Sequence, residues 1–113
     1  MIEGVVLTSL DIVSVAGGDV LHCMKEGDPG YIKFGEVYFS DVKPGIIKPW
    51  KRHKKMTLNL VVPNGQIRFV IYDDRSYSST AEQFYEVVLS RQNYMRLTVP
   101  PGLWMAFQGL DNT

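Results

Sequence analysis

One cysteine, Cys23, stands among 113 residues. An internal disulfide is excluded, and a reducing compartment fits best. A small buried residue is the role expected of Cys23. No apolar run is long enough to span a bilayer. The start, Met1 to Leu7, carries an early acid at Glu3 and no basic stretch, so it does not read as a signal peptide. Neither sign of charge is in excess, with 12 Lys+Arg against 12 Asp+Glu, which gives no footing for non-specific binding to nucleic acid or to a membrane. The serines lack a nucleophile-elbow context. Gly17-Gly18 is too little for a phosphate loop. Apolar residues nowhere recur at helical spacing over a long window. A cytoplasmic protein with no helical core is the expectation.

What is present suits one β-rich domain over residues 1–113. Hydrophobic residues make up 45% of the chain, enough to build a core. Short apolar runs alternate with turn signals. Strands are expected at Glu3 to Leu10, Val20 to Met24, Glu36 to Ser40, Thr57 to Val62, Gln66 to Tyr72, Phe84 to Leu89, Tyr94 to Val99 and Leu103 to Gln108. Gly27-Asp28-Pro29-Gly30, Lys43-Pro44-Gly45 and Pro100-Pro101-Gly102 punctuate them. Asn64-Gly65, between two apolar runs, predicts a hairpin that pairs Thr57 to Val62 with Gln66 to Tyr72. Ser90 is placed to cap a single turn ending at Asn93. Many short strands at this spacing predict an all-β fold, a jelly-roll barrel of short antiparallel strands.

The chemistry-bearing stretch is Gly45 to Lys55, which reads as a strand with a basic cluster: Lys48, Lys51, Arg52, His53, Lys54 and Lys55. Charge so concentrated on a neutral chain suits an anion such as a sugar nucleotide. It also suits a solvated sheet edge, where lysines discourage aggregation. Strand parity puts Lys51 and His53 on one face and Trp50 and Arg52 on the other. A cationic neighbour favours a neutral, base-competent imidazole.

The order of motifs then carries a resemblance. Gly45 followed eight residues later by His53, Asn64-Gly65, Tyr72-Asp73-Asp74-Arg75, Leu89-Ser90 with Asn93, and Val99-Pro100-Pro101-Gly102-Leu103-Trp104 together resemble the sugar-nucleotide cupins. The pattern is most similar to dTDP-4-dehydrorhamnose 3,5-epimerase, from about Gly18 to Asn112. The resemblance implies a jelly-roll cupin with a nucleotide sugar in its mouth, a homodimer, no metal or other cofactor, and a role in polysaccharide biosynthesis. Its proton transfers next to a ketone imply epimerase or ketoisomerase chemistry.

Carried over residue by residue, the resemblance is uneven. The epimerases' Arg-Gly-Leu-His base segment looks like Lys48-Pro49-Trp50-Lys51, so Lys51 stands at the base position. Their enolate-stabilising lysine falls near Leu58, and their later histidine is Met105. Their tyrosine acid and base-orienting aspartate lie past Thr113, as do strands that complete the barrel. The dTDP-sugar 3,4-ketoisomerases carry His-x-His-Lys here, and Lys51-Arg52-His53-Lys54 keeps the second histidine.

His53 and Lys51 are therefore the candidate catalytic pair. Lys48, Arg52, Asp73, Arg75, Tyr38 and Trp104 are candidate substrate contacts. A guanidinium fork suits diphosphate oxygens, and Tyr38 with Trp104 makes a possible base clamp. Each has a plainer reading: Asp73 and Arg75 as a turn with an ion pair, Trp104 as core, and His22 as a core or edge histidine. The alternatives to an enzyme are a sugar-nucleotide or carbohydrate binding module that lost its chemistry, and a scaffold cupin.

Overall fold

The structure, a computed structural model, describes residues 1–110. The last three residues, including Asn112 at the end of the resemblance, lie outside them. Nine strands and no helix are found there: β1 (Val6–Ser9), β2 (Ile12–Val13), β3 (Val20–Leu21), β4 (Ile47–Arg52), β5 (Leu58–Leu60), β6 (Gln66–Tyr72), β7 (Phe84–Ser90), β8 (Met95–Val99) and β9 (Trp104–Gly109). Accordingly, no helix among the described residues is long and apolar enough to cross a membrane.

The strands form a three-stranded sheet in the order β1-β8-β5, a four-stranded sheet in the order β4-β9-β6-β7, and a small β2-β3 ribbon. All the strand pairs are antiparallel. The two larger sheets face each other across the core. Alternation makes this possible, because every second residue of a strand points the same way. Phe69 and Ile71 of β6, Leu89 of β7, Leu97 and Val99 of β8 and Met105 of β9 meet there and are buried. The fold is the expected all-β one, built of short antiparallel strands.

Two expectations about strands fail for instructive reasons. Asn64-Gly65 does not close a hairpin. β5 pairs with β8, and β6 pairs with β7 and β9, so this turn carries the chain from one sheet to the other. A type I′ hairpin needs positive φ at both central residues. Gly65 has φ 80°, but among the described residues Glu82 is the only non-glycine with positive φ, so Asn64 does not qualify. Glu36 to Ser40 is β-prone yet forms no strand and joins neither sheet. Ser90 does hold its turn, its Oγ accepting the Asn93 N–H at 3.0 Å. Cys23, expected inside, is exposed, with its Sγ 3.4 Å from the Tyr94 hydroxyl. His22 is exposed rather than core.

Candidate active site

β4 positions the site. It is an edge strand of the four-stranded sheet, paired on one side with β9. Lys48 stands opposite Phe107 and Lys51 opposite Met105, so Pro49 and Trp50 together face the single residue Ala106. That is a β-bulge, and proline favours one because it has no N–H to give the ladder. The bulge changes which residues share a face. In a regular strand Lys48 would share a face with Trp50 and Arg52. With one extra residue inserted, Lys48 turns to the same side as Lys51 and His53.

These three line one cavity of about 240 Å³, with an apolar floor that includes Leu58, Met105 and Phe107. Tyr38 and Ser40, from the unpaired stretch before β4, form part of its rim. Lys48 is fastened there: its Nζ donates to Ser40 Oγ at 3.1 Å and to the Asp41 carbonyl at 2.9 Å, and lies 5.9 Å from the Phe107 ring centre. The His53 carbonyl accepts the Gly102 N–H at 2.8 Å, which ties the end of β4 to the turn before β9. Its lining among the described residues offers cations, an imidazole and a phenol, but no aspartate or glutamate. Among the described residues, no group of three or more His, Cys, Asp or Glu side chains converges to hold a metal ion.

Four of the expected substrate contacts lie elsewhere. Asp73 has 0% of its surface exposed. Its carboxylate accepts the Arg75 backbone N–H at 3.0 Å, Arg75 Nε at 2.9 Å, Arg75 Nη2 at 3.0 Å, Ser78 Oγ at 2.6 Å and Thr80 Oγ1 at 2.7 Å. The Arg75 guanidinium, with the two hydroxyls, holds this carboxyl well below the usual range against the opposing effect of burial. Arg75 also donates to the Glu3 carbonyl at 2.7 Å. Asp73 and Arg75 are thus a buried fastener, with no hydrogen-bonding capacity left on Asp73 for a substrate, and the turn-with-ion-pair reading holds.

Arg52 and Trp104 are opposite one another on the outer face of the same sheet, where the guanidinium lies 4.9 Å from the Trp104 ring centre. Neither lines the cavity. Tyr38 and Trp104 are therefore on opposite sides of the sheet and cannot clamp one base. Tyr72 also faces outward, beside Trp104. Sequence reasoning missed Ser40, and it missed what Pro49 implies for Lys48, although a proline inside a strand is a legible bulge signal.

The positions matched to the epimerases nonetheless converge. Lys51, Leu58 and Met105, from three different strands, line the same cavity.

The chain is 41% identical to a dTDP-sugar isomerase from Desulfovibrio desulfuricans G20 whose structure is solved; the two superpose with a TM-score of 0.96 over 99% of this chain and 72% of that one. The chain belongs to the dTDP-sugar isomerase family. No family model matches it. A probable low-salt glycan biosynthesis epimerase from Haloferax volcanii is 31% identical over 76 residues, which are 66% of this chain and 49% of the relative. A spore coat polysaccharide biosynthesis protein from Bacillus subtilis is 27% identical over 113 residues, 100% of this chain and 75% of the relative. The chain thus spans about half the length of the first of these curated relatives. Solved dTDP-4-dehydrorhamnose 3,5-epimerases share the cupin fold at lower identity.

Proposed function

We propose that this member of the dTDP-sugar isomerase family takes a nucleotide-activated keto-deoxysugar and moves protons next to its ketone, in the synthesis of a surface polysaccharide. A cytoplasmic location goes with that substrate. One observation carries the reading: the bulged strand β4 aims Lys48, Lys51 and His53 into one cavity with an apolar floor. The floor suits the deoxysugar, and the volume suits one sugar ring with the nucleotide lying across the mouth. His53 is the base that takes the proton α to the ketone. Lys51 offsets the charge of the enolate, an arrangement that is effective because the donor is already in place. Lys48 meets the diphosphate as a point charge. Tyr38, on the rim, is the group positioned to return a proton. Whether the sugar is the rhamnose precursor is decided by assay.

A homodimer belongs to the same reading. Ile32, Phe34, Val37, Tyr38 and Phe39 form an exposed apolar stretch beside the cavity, with Phe39 94% exposed. A second copy is the natural cover for so much apolar surface.

A second reading is favoured by one specific observation. Among the described residues no carboxylate lines the cavity to orient His53, so a binding module that has lost catalysis is the rival. Titration of dTDP, UDP and GDP, followed by melting temperature, tests the pocket. Deuterium exchange α to the ketone of the matching keto-sugar tests the chemistry. The expected result is a rise with one nucleotide, exchange by the wild type, and binding without exchange by His53→Ala. Binding with no exchange by the wild type establishes the module. No shift with any nucleotide sinks both readings.

A further inference from the structure

The outer face of the four-stranded sheet holds a second cluster that the proposed reaction does not use. Register places Arg52, Trp104, Tyr72 and Phe84 in one row across β4, β9, β6 and β7. The Pro49–Trp50 bulge then lays Trp50 over this row, its ring 6.4 Å from that of Phe84 at 57°. Tyr72 and Phe84 rings are 4.6 Å apart. The four aromatic side chains bound an open recess of about 380 Å³. Phe84 is 65% exposed and Trp50 45%.

One edge of the recess is polar. Arg52 lies over the Trp104 ring and pairs with Asp74 at 3.7 Å, both partners more than a third exposed. Trp104 Nε1 donates to Asp74 Oδ2 at 2.9 Å. Aromatic rings are normally buried for the area they bring. Four of them around an open recess, with a donor fork and a carboxylate side by side at the edge, have the composition of a ligand site: mostly apolar, with a few fixed polar groups.

We propose that this recess is a second binding site, for a pyranose ring of a neutral glycan. The charge balance selects the ligand. Arg52 and Asp74 pair with one another, so the polar edge of the recess carries no net charge to draw an anion or a cation. That separates it from the inner cavity, whose wall carries two lysines. A phosphate would have to take Arg52 from Asp74, and a nucleic-acid strand would need unpaired cations along its path.

Sugar hydroxyls both donate and accept, so a vicinal pair can satisfy the guanidinium and the carboxylate together. The C–H face of the pyranose then lies against the negative faces of Trp50 and Phe84. The site is on the opposite side of the sheet from the proposed active site and does not depend on the reading of that site.

The experiment has a built-in reporter, because Trp50 and Trp104 are the chain's two tryptophans. Tryptophan emission of the full chain reports this recess alone. An array of neutral and acidic oligosaccharides, including β-glucan, chitin and mannan fragments, identifies ligands, and each is titrated against emission. A saturable change with a neutral oligosaccharide is expected. Phe84→Ala should weaken it about tenfold, the scale of one aromatic contact, while leaving any nucleotide-induced melting shift unchanged. Phe84 is exposed, so its truncation leaves the core intact; Asp74→Asn provides a second variant that keeps every ring.

The proposal is overturned by a blank array, by a preference for acidic glycans, or by affinity that Phe84→Ala does not alter. It is overturned equally if emission shifts with protein concentration alone, because a second copy then covers the face.

Discussion

Between β6 and β7 the chain runs through residues 73–83, and between β3 and β4 it runs through residues 22–46. Both connections lack regular structure, yet they are held in opposite ways. The first is folded around a charge. Asp73 is sealed from water and saturated with donors from its own loop, while Arg75, Ser79 and Thr80 reach across to Glu3 and fix the N-terminal segment.

The second is fastened only in part. Arg96, 1% exposed on β8, donates to the carbonyls of Cys23 and Pro29 at 2.6 Å each and pins the first portion. Asn59 Nδ2 holds the Gly30 carbonyl at 3.1 Å. From Ile32 to Phe39 every residue is exposed. A loop that spends its polar groups on itself is built to hold a shape. One that leaves Phe34 and Phe39 in water is built to meet something, and it runs along the rim of the cavity.

The largest expected effect comes from the self-contained loop. Asp73→Ala leaves the Arg75 guanidinium largely buried without its partner, at a cost of about 3 kcal/mol or more, read as a lower urea midpoint with an unchanged slope. The pH dependence has a definite sign. The folded-state pKa of Asp73 lies below its unfolded value of about 4, so its contribution is fully present above pH 4. It is lost as pH falls from there through the folded value. The wild type should therefore lose stability below about pH 4, and the gap between it and Asp73→Ala should narrow. A constant gap down to strong acid would show that the carboxylate's charge is not what holds the loop.

The second effect is intermediate, and it tests the other half of the comparison. In an isolated chain Phe39 touches little, so Phe39→Ser should change stability by under about 0.5 kcal/mol. In a homodimer whose second copy covers the stretch, the same change should shift sedimentation towards monomer at micromolar concentration. It should also make the melting temperature fall more steeply on dilution. A wild type that sediments as a folded monomer at that concentration removes the dimer, and with it the account of why these side chains are apolar.

The same contrast marks what the amino-acid sequence made legible. Alternation in Gln66 to Tyr72 reports sheet faces directly, and the run of short strands made the all-β architecture readable. Pairing partners could not be read. Asn64-Gly65 is compatible with a hairpin or a corner, and the choice depends on a φ angle and on β8, which lies far along the chain. The cavity was legible where parity holds, at Lys51 and His53. It was misread at Asp73, because a chain shows an Asp-Asp-Arg run but not the five donors that enclose its first member. Arg52 was correctly assigned the face opposite to Lys51 and His53, but neither Arg52 nor Trp104 lines the cavity as expected. Only the position of the cavity shows that this face is the outer one.

The smallest effect expected lies where the two kinds of connection meet. Lys48 belongs to the cavity wall, and its ammonium is also the clasp that holds residues 40 and 41 of the open stretch. On the proposed reading, a ligand phosphate and the clasp compete for one cation. Ser40→Ala removes one neutral acceptor from an exposed ammonium and should cost no more than about 0.5 kcal/mol of global stability. Locally it should raise amide hydrogen exchange through residues 38–42. Because Lys48 is then freer to turn to a diphosphate, nucleotide affinity should be unchanged or slightly higher. Lys48→Met separates the two roles, since it loses the clasp and the charge together and should loosen the same amides while weakening nucleotide binding. If both variants weaken binding alike, Ser40 itself contacts the ligand, and the open stretch is part of the binding wall.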